Sequence, residues 1–231
     1  MSKTSTPSVP QSCPPATGHD GCSPAEIVYL VEYSKDESSS DVDHEGLYIS
    51  QMVDKYKMGS DHIRLGVVIY NDDVTESIHI TDFPDDKEGL KTRIRGLTRA
   101  PWCDGWFCRN RHPSELTPRG DANLAKAFDY AREHSFANAR PGAMKLVHVI
   151  FHSMATFGDR LEEIKLAAER LRKECVILYA SVVSDRDSQL DKNAIRSMVT
   201  QPWTNHYFEF IGFSCRWNCL DTNVKYINFN C

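Results

Sequence analysis

The stretch "EIVYLVEYSKDES", residues 26–38, decides the fold class because it joins an apolar strand to a polar turn. Residues 27–31 are all apolar, and they are followed directly by carboxylate and hydroxyl side chains. An apolar run of this length, rich in β-branched and aromatic residues, is typical of a strand that is buried on both faces. The polar residues that follow mark the point where this strand leaves the core.

Apolar runs of the same kind recur along the chain and alternate with amphipathic helical patterns. Strands are predicted at residues 27–31, 64–70, 76–80, 145–151, 175–183 and 206–210. Helices are predicted at residues 45–56, 85–97, 121–134, 160–174 and 190–200. This alternation predicts an α/β fold with a doubly wound, mostly parallel six-stranded sheet and helices on both faces. The short turn "NDDVT" before residues 76–80 predicts that this strand is an antiparallel edge strand.

Three segments differ in composition. Residues 1–24 are rich in Ser, Thr and Pro and are predicted to be a flexible N-terminal segment. Residues 25–211 carry the strand and helix patterns and are predicted to form the folded domain. Residues 212–231 follow the last predicted strand and form a tail that contains cysteines.

Composition excludes several classes of function. The formal net charge is −5, and no cluster of Lys and Arg favours nucleic-acid binding. No apolar run approaches the roughly 20 residues that a membrane-spanning helix needs. The first residues lack the apolar region of a signal peptide, so this chain is expected to be intracellular, or a mature or cloned fragment of a secreted protein.

The eight cysteines favour an oxidising compartment. Cys175 opens an apolar strand and is interpreted as a buried core residue, not as a nucleophile. The alternative is a cytoplasmic protein with reduced thiols. The other cysteines lie near the termini or in a loop and are candidates for disulfide bonds: Cys13, Cys22, Cys103, Cys108, Cys215, Cys219 and Cys231.

Residues 26–210 resemble the von Willebrand factor type A domains, also called integrin I-like domains. The segments that carry the resemblance are "EIVYLVEYS", "IRLGVVIYNDDVTESIHI", "KEGLKTRIRGL", "RGDANLAKAFDYAREH", "KLVHVIFHS", "RLEEIKLAAERLRKECVILYAS" and "AIRSMVTQPWTNHYFEF", in the family's order. The resemblance implies a Mg²⁺ site at the upper rim of the sheet, whose open position takes a carboxylate from a partner. It also implies that the two chain ends lie close together, so that Cys13 or Cys22 could bridge to Cys215, Cys219 or Cys231.

The family's metal site uses three loops, and this sequence departs from all three. Where the family has Asp-x-Ser-x-Ser, this chain has Glu32, Ser34 and Asp36. Ala122 stands at the position of the family's Thr, and His152 stands at the position of its last Asp.

These departures bear on the metal that the rim could bind. Mg²⁺ requires a near-ideal octahedron of oxygen ligands, whereas an imidazole suits Zn, Cu or Ni. The sequence therefore predicts a degenerate metal site and no cofactor, with Mg²⁺ or a transition metal at Glu32, Asp36 and His152 as the alternative. The predicted binding rim comprises Glu32, Ser34, Asp36, Asp121, His152 and Ser153.

A long loop at residues 99–113, "RAPWCDGWFCRNRHP", is the second candidate for binding. A disulfide between Cys103 and Cys108 would present aromatic and Arg side chains, which are typical of protein-binding hot spots. The alternatives are that its Trp residues pack back onto the domain, or that Cys103, Cys108 and His112 hold zinc. The candidate binding residues of this loop are Trp102, Trp106, Phe107 and Arg109.

Catalytic motifs are absent from the sequence: there is no P-loop, no Gly-x-Ser-x-Gly, no HExxH and no dinucleotide fingerprint. His148 lies within a predicted strand and is interpreted as a packed histidine. Residues 119–121 read "RGD", but Asp121 is interpreted as the N-cap of the following helix and not as an adhesive motif.

We therefore predict a non-catalytic module for adhesion or recognition, extracellular or at the cell surface, with a protein or extracellular-matrix ligand. No nucleic-acid partner and no membrane insertion are expected. One alternative is an intracellular scaffold of the same fold with reduced cysteines and zinc at residues 103–112. The other is a metal-dependent adhesin that uses the altered rim.

Overall fold

The computed structural model describes residues 13, 24–34, 39–98, 120–151, 157–184 and 191–211. The strands in these ranges are β1 (Ala25–Glu32), β2 (Ile63–Tyr70), β3 (Val74–Ile78), β4 (Met144–Phe151), β5 (Val176–Ser184) and β6 (Tyr207–Ile211). The helices are α1 (Ser39–Lys55), α2 (Lys87–Thr98), α3 (Leu124–Tyr130), α4 (Leu161–Lys173) and α5 (Lys192–Met198). A π-helical turn, Ala131–Ser135, continues α3.

The strands form one sheet in the order β3-β2-β1-β4-β5-β6. Five of them are parallel, and β3 pairs with β2 in the antiparallel direction. The predicted doubly wound α/β class is confirmed. We call the edge where the parallel strands end the upper rim, and the edge where they begin the lower edge.

Two hydrophobic layers cover the sheet, and β1 contributes side chains to both because successive side chains of a strand point to opposite faces. Val28 and Leu30 pack in the layer formed with α3, α4 and α5. Ile27, Tyr29 and Val31 pack in the layer formed with α1 and α2. Every residue of β1 is buried, as the continuous apolar run predicts for a central strand.

The lower edge is held by a buried carboxylate. Glu26 is 0% exposed and accepts two hydrogen bonds from the Arg64 guanidinium, at 2.9 and 2.7 Å. The backbone N–H and the Nε of Arg140 donate to the same carboxylate, at 3.0 and 2.8 Å. Arg140 also donates to the carbonyl oxygens of Ala25 and His62, so this cluster joins the start of β1 to two loops.

One disulfide bond lies within the described residues, between Cys13 and Cys175, with a Cα–Cα distance of 5.4 Å. It corrects the interpretation of Cys175 as a buried core thiol. Cys175 has a φ of 62° and lies in the turn after α4, so that β5 begins one residue later, at Val176. A turn residue at the lower edge is half-buried and within reach of the N-terminal segment.

The expected bridge from Cys13 to the tail is likewise wrong, because Cys175 is its partner. Parallel pairing also places the start of β1 at the lower edge and the end of β6 at the upper rim. These two ends of the sheet are therefore at opposite edges, and the expected proximity of the two chain ends stays a prediction, because residues 212–231 lie outside the described residues. The other candidates, Cys22, Cys103, Cys108, Cys215, Cys219 and Cys231, lie outside the described residues.

Candidate binding rim

The upper rim contains the point where the direction of strand succession reverses. The chain runs from β1 to β2 and β3 on one side, and then returns to place β4 on the other side of β1. In doubly wound sheets, ligands bind beyond the carboxyl ends of the strands at such a reversal. The residues that follow β1 are therefore the first to consider.

The segment that follows β1 is buried and hydrogen-bonded within the domain. The Ser34 hydroxyl donates to Oε1 of Glu32 at 2.6 Å, and these side chains are 0% and 4% exposed. The backbone N–H of Tyr33 donates to the carbonyl oxygen of Tyr70, at 2.8 Å. The two predicted rim residues Glu32 and Ser34 are therefore in mutual contact, close to the end of β2.

The turn between β2 and β3 adds three polar residues to the same rim. Asn71 is 5% exposed, and its side-chain oxygen accepts a hydrogen bond from the backbone N–H of Asp73, at 3.2 Å. Asp73 in turn caps the start of β3 through a 2.9 Å bond from the N–H of Val74. Asp72 lies at the apex of the turn and is exposed.

The loop that precedes α3, residues 120–123, lies directly against this turn. Oδ1 of Asp72 accepts the backbone N–H of Asp121, at 2.8 Å. The carbonyl oxygen of Asn71 accepts the backbone N–H of Asn123, also at 2.8 Å. The end of β2 is thus bonded both to the segment after β1 and to the loop before α3.

The N-cap of α3 is Asn123, which corrects the prediction that Asp121 has this role. The side chain of Asn123 accepts the backbone N–H of Lys126, at 3.1 Å. The helix begins at Leu124, three residues later than the pattern predicted, because residues 120–123 form an extended loop against the β2–β3 turn. Asp121 is exposed at the rim.

Two cations lie beside this loop. Nζ of Lys126 donates to the carbonyl oxygen of Asp72 at 3.0 Å and lies 3.7 Å from Oδ1 of Asp73. On the side of α4, Nη1 of Arg160 is 3.5 Å from the carbonyl oxygen of Ala122. The acidic residues of the turn are therefore partly balanced by a neighbouring lysine.

The described residues do not fit the metal site that the family resemblance implies. Ala122 brings a methyl group to the position of a hydroxyl ligand, and the Ser34 hydroxyl donates to Glu32. Within the described ranges, no three His, Cys, Asp or Glu side chains lie close enough together to hold a metal ion. Among the described residues, the loop before α3 therefore lacks the side-chain oxygen that the family pattern places there, and Asp36 and His152 lie outside the described residues.

Several predicted binding residues lie outside the described residues: Asp36, Trp102, Trp106, Phe107, Arg109, His152, Ser153 and, in the alternative zinc site, His112. Their places in the binding rim and the 99–113 loop stay predictions.

Sequence reasoning missed the residues that organise this rim, namely Asn71, Asp72 and Gly120. A signal was available, because "NDD" follows a buried strand and the carboxyl ends of parallel strands meet at one edge. The same stretch also fits the pattern of a hairpin turn, and that pattern does not predict its contact with the loop before α3.

His148 is packed in the core of the sheet, as predicted, and lies away from the rim. Its ring stacks on Tyr29 with a centroid distance of 4.9 Å, and its Nε2 lies 2.7 Å from the Ser181 hydroxyl. The side chain is 1% exposed, and burial lowers its pKa to about 3. A neutral, fully packed imidazole of this kind is a structural residue.

The comparisons with known proteins fit this architecture. No family model matches the chain. Human matrilin-1 is 23% identical over 201 residues, a stretch that covers 86% of this chain and 35% of matrilin-1. Proximal thread matrix protein 1 from the mussel byssus superposes with a TM-score of 0.62 at 18% identity, over 82% of this chain and 44% of that protein.

The chain has the fold of a von Willebrand factor type A domain. Manganese-loaded TRAP from Plasmodium vivax superposes with a TM-score of 0.61 at 15% identity, over 81% of this chain and 68% of that one. Another structure of the mussel protein, with a TM-score of 0.62 at 17% identity over 85% of this chain and 44% of that one, has zinc in its MIDAS motif.

The chain spans about a third of matrilin-1 and less than half of the mussel protein. Among its described helices, none combines the length and the apolar character needed to cross a membrane.

Proposed function

We propose that this type A domain is a non-catalytic recognition module that binds a protein or matrix ligand through its upper rim, outside the cell and without Mg²⁺. One observation carries the proposal. The rim lies at the reversal point of the sheet, and backbone and side-chain hydrogen bonds join the residues after β1, the β2–β3 turn and the loop before α3. A rim assembled in this way can present a binding surface in the absence of a metal ion.

The relatives support the class of partner. The mussel protein is named as a matrix protein of the byssus, and matrilin-1 is similar over most of this chain. The Cys13–Cys175 disulfide supports an oxidising compartment, and therefore an extracellular site of action.

The chemistry of the rim supports independence from Mg²⁺. Ala122 offers no side-chain oxygen at the position where the family pattern has a Thr hydroxyl. Asp121 is exposed and places an acidic side chain at the rim, which suits a partner that contributes Lys or Arg side chains.

The test is retention of the intact chain on extracellular matrix deposited by cultured fibroblasts, measured with and without excess EDTA. We expect retention that EDTA does not reduce and that Asp121→Lys weakens. Asp61→Lys is the matched control, because Asp61 is also exposed but lies at the lower edge. Trp106→Ala tests the loop in the same assay.

Two results would contradict the proposal in different ways. If EDTA abolishes retention, the metal-dependent adhesin is the correct alternative. If Asp121→Lys and Asp61→Lys reduce retention equally, the upper rim is not the binding surface.

A further inference from the structure

We infer that Asp72 is the positioning residue of the upper rim, and that its carboxylate holds the loop before α3 against the β2–β3 turn. The inference rests on the proposed function, since it explains how the rim keeps its shape without Mg²⁺.

The contact is specific to the Asp72 carboxylate. Its Oδ1 accepts the N–H of Asp121 at 2.8 Å, which ties the apex of the β2–β3 turn to a loop 49 residues further along the chain. A hydrogen bond to an ionised acceptor is stronger than a neutral one. Asp73 is adjacent and also has a carboxylate, but this carboxylate accepts the N–H of Val74 in its own turn.

Gly120 shows how closely the two segments approach. Its φ is +71°, a conformation that residues with a Cβ rarely adopt. A Cβ placed on Gly120 would lie 2.0 Å from Oδ2 of Asp72 and 2.5 Å from its Cγ. The loop can therefore reach the carboxylate only because residue 120 has no side chain.

Backbone and lysine contacts complete the clasp formed by Asp72 and residues 120–123. Asn71 accepts the N–H of Asn123 through its carbonyl oxygen, and Lys126 donates from the first turn of α3 to the carbonyl oxygen of Asp72. These bonds fix the orientation of the β2–β3 turn. The Asp72 carboxylate then accepts the N–H of Asp121 from this loop.

The consequence concerns where the exposed carboxylate of Asp121 is placed. Asp121 has its backbone N–H bonded to Asp72, so the position of its side chain at the rim depends on this bond. Loss of the clasp is expected to leave the sheet and the cores intact, because neither hydrophobic layer includes Asp72. The expected effect is a less ordered rim on a folded domain.

The experiment is amide hydrogen exchange of the intact chain, resolved by residue with NMR, for Asp72→Ala, Asp72→Asn and the matched control Asp73→Ala. We expect Asp72→Ala to speed exchange at the N–H of Asp121 on the order of tenfold, in keeping with one lost hydrogen bond to a charged group. Asp72→Asn keeps an acceptor oxygen and should restore most of the protection. Asp73→Ala should leave the Asp121 amide unchanged.

A double-variant comparison provides a second readout. In the parent, Gly120→Ala should destabilise the domain through the positive φ at residue 120 and through the clash of the new Cβ with Asp72. In the Asp72→Ala background the clash is gone, so Gly120→Ala should destabilise the domain less. Equal effects in both backgrounds would overturn the inference. So would unchanged exchange at Asp121 in Asp72→Ala, or protection of this amide that excess EDTA removes from the parent.

Matrix retention separates this inference from the proposed function. Faster exchange at Asp121 together with weakened retention in Asp72→Ala supports both. Unchanged exchange together with retention that depends on Asp121 overturns the role of Asp72 and leaves the proposed function standing. If Asp72→Ala speeds exchange at Asp121 but the parent is not retained on the matrix, the role of Asp72 is supported and the proposed function is contradicted.

Discussion

Nε of Arg140 lies 2.8 Å from Oε1 of Glu26, although the two residues are 114 positions apart in the sequence. The Glu26 carboxylate is 0% exposed and lies between the guanidinium groups of Arg64 and Arg140 at the lower edge. This cluster joins the start of β1 to the loop before β4. The lower edge is thereby fixed independently of the rim.

Glu26→Gln is expected to destabilise the domain by about 2–3 kcal/mol, because it leaves the guanidinium groups of Arg64 and Arg140, which are 11% and 20% exposed, without a counter-charge. Urea unfolding at neutral pH measures the change. Glu88→Gln is the control, since the Glu88 side chain is 78% exposed in its pair with Lys91, and such a pair contributes little. A loss for Glu26→Gln as small as that of the control would show that the cluster does not support the fold.

The sequence allows the strands and helices to be predicted because their signals are local. The continuous apolar run of β1 indicates a buried strand. The helical spacing of Ile164, Ala168 and Leu171 indicates the buried face of α4. The Glu26 cluster could not be predicted in this way. In the sequence Glu26 is only a polar residue beside a strand, and its partners are set by the order of strands in the sheet.

The rim shows the same limit at a finer scale. Both Asp121 and Asn123 are good N-cap residues, so the sequence before α3 does not distinguish them. The N-cap of α3 is decided by the contact of residues 120–123 with Asp72, in which the bonded residues are 49 positions apart in the sequence. Residues that follow separate strands can be assigned to one rim from the topology, but the bonds between them cannot.

The buried His148 should make stability depend on pH in the acidic range. Its pKa in the folded domain is lowered to about 3, from an ordinary value of 6.5. The unfolded chain therefore binds a proton below pH 6.5 that the folded domain does not bind until about pH 3, and the free energy of unfolding falls across that window. From pH 7 to pH 5, this one group should cost about 2 kcal/mol.

Urea unfolding of the parent and of His148→Phe at pH 7 and pH 5 tests this expectation. The variant leaves the Ser181 hydroxyl without its partner, so it should be less stable at pH 7 by about 1–3 kcal/mol. Between pH 7 and pH 5, the free energy of unfolding should fall less in the variant than in the parent. The difference between the two falls is the contribution of His148. His134→Gln, at an exposed histidine, is the control and should follow the parent. Identical pH dependence in parent and His148→Phe would contradict the prediction.

The Cys13–Cys175 disulfide should be a large contributor to stability because it closes a loop with a sequence separation of 162. In the chain-entropy model, a loop of this length contributes on the order of 4–5 kcal/mol by restricting the unfolded chain. Cys13→Ser and Cys175→Ser should each lose a similar amount, and the double variant should lose no more, since both remove the same bond. Denaturant unfolding without reductant is the measurement. A double variant with the summed loss of the two single variants would show that the cysteines act separately.

The degenerate metal site can be tested by restoring the oxygen donors that the family resemblance implies. The combined substitutions Glu32→Asp, Ala122→Thr and His152→Asp return a shorter carboxylate, a hydroxyl and a second carboxylate to the rim. Hard cations prefer such oxygen ligands, so the restored domain is expected to bind Mn²⁺ or Mg²⁺. Isothermal titration with Mn²⁺ should show a binding event for this variant and none for the parent. The same set without Ala122→Thr is the control, and it should bind more weakly because one ligand is missing. If the parent binds Mn²⁺ as tightly as the restored variant, the rim of the natural sequence is a working metal site and the proposal of independence from metal is wrong.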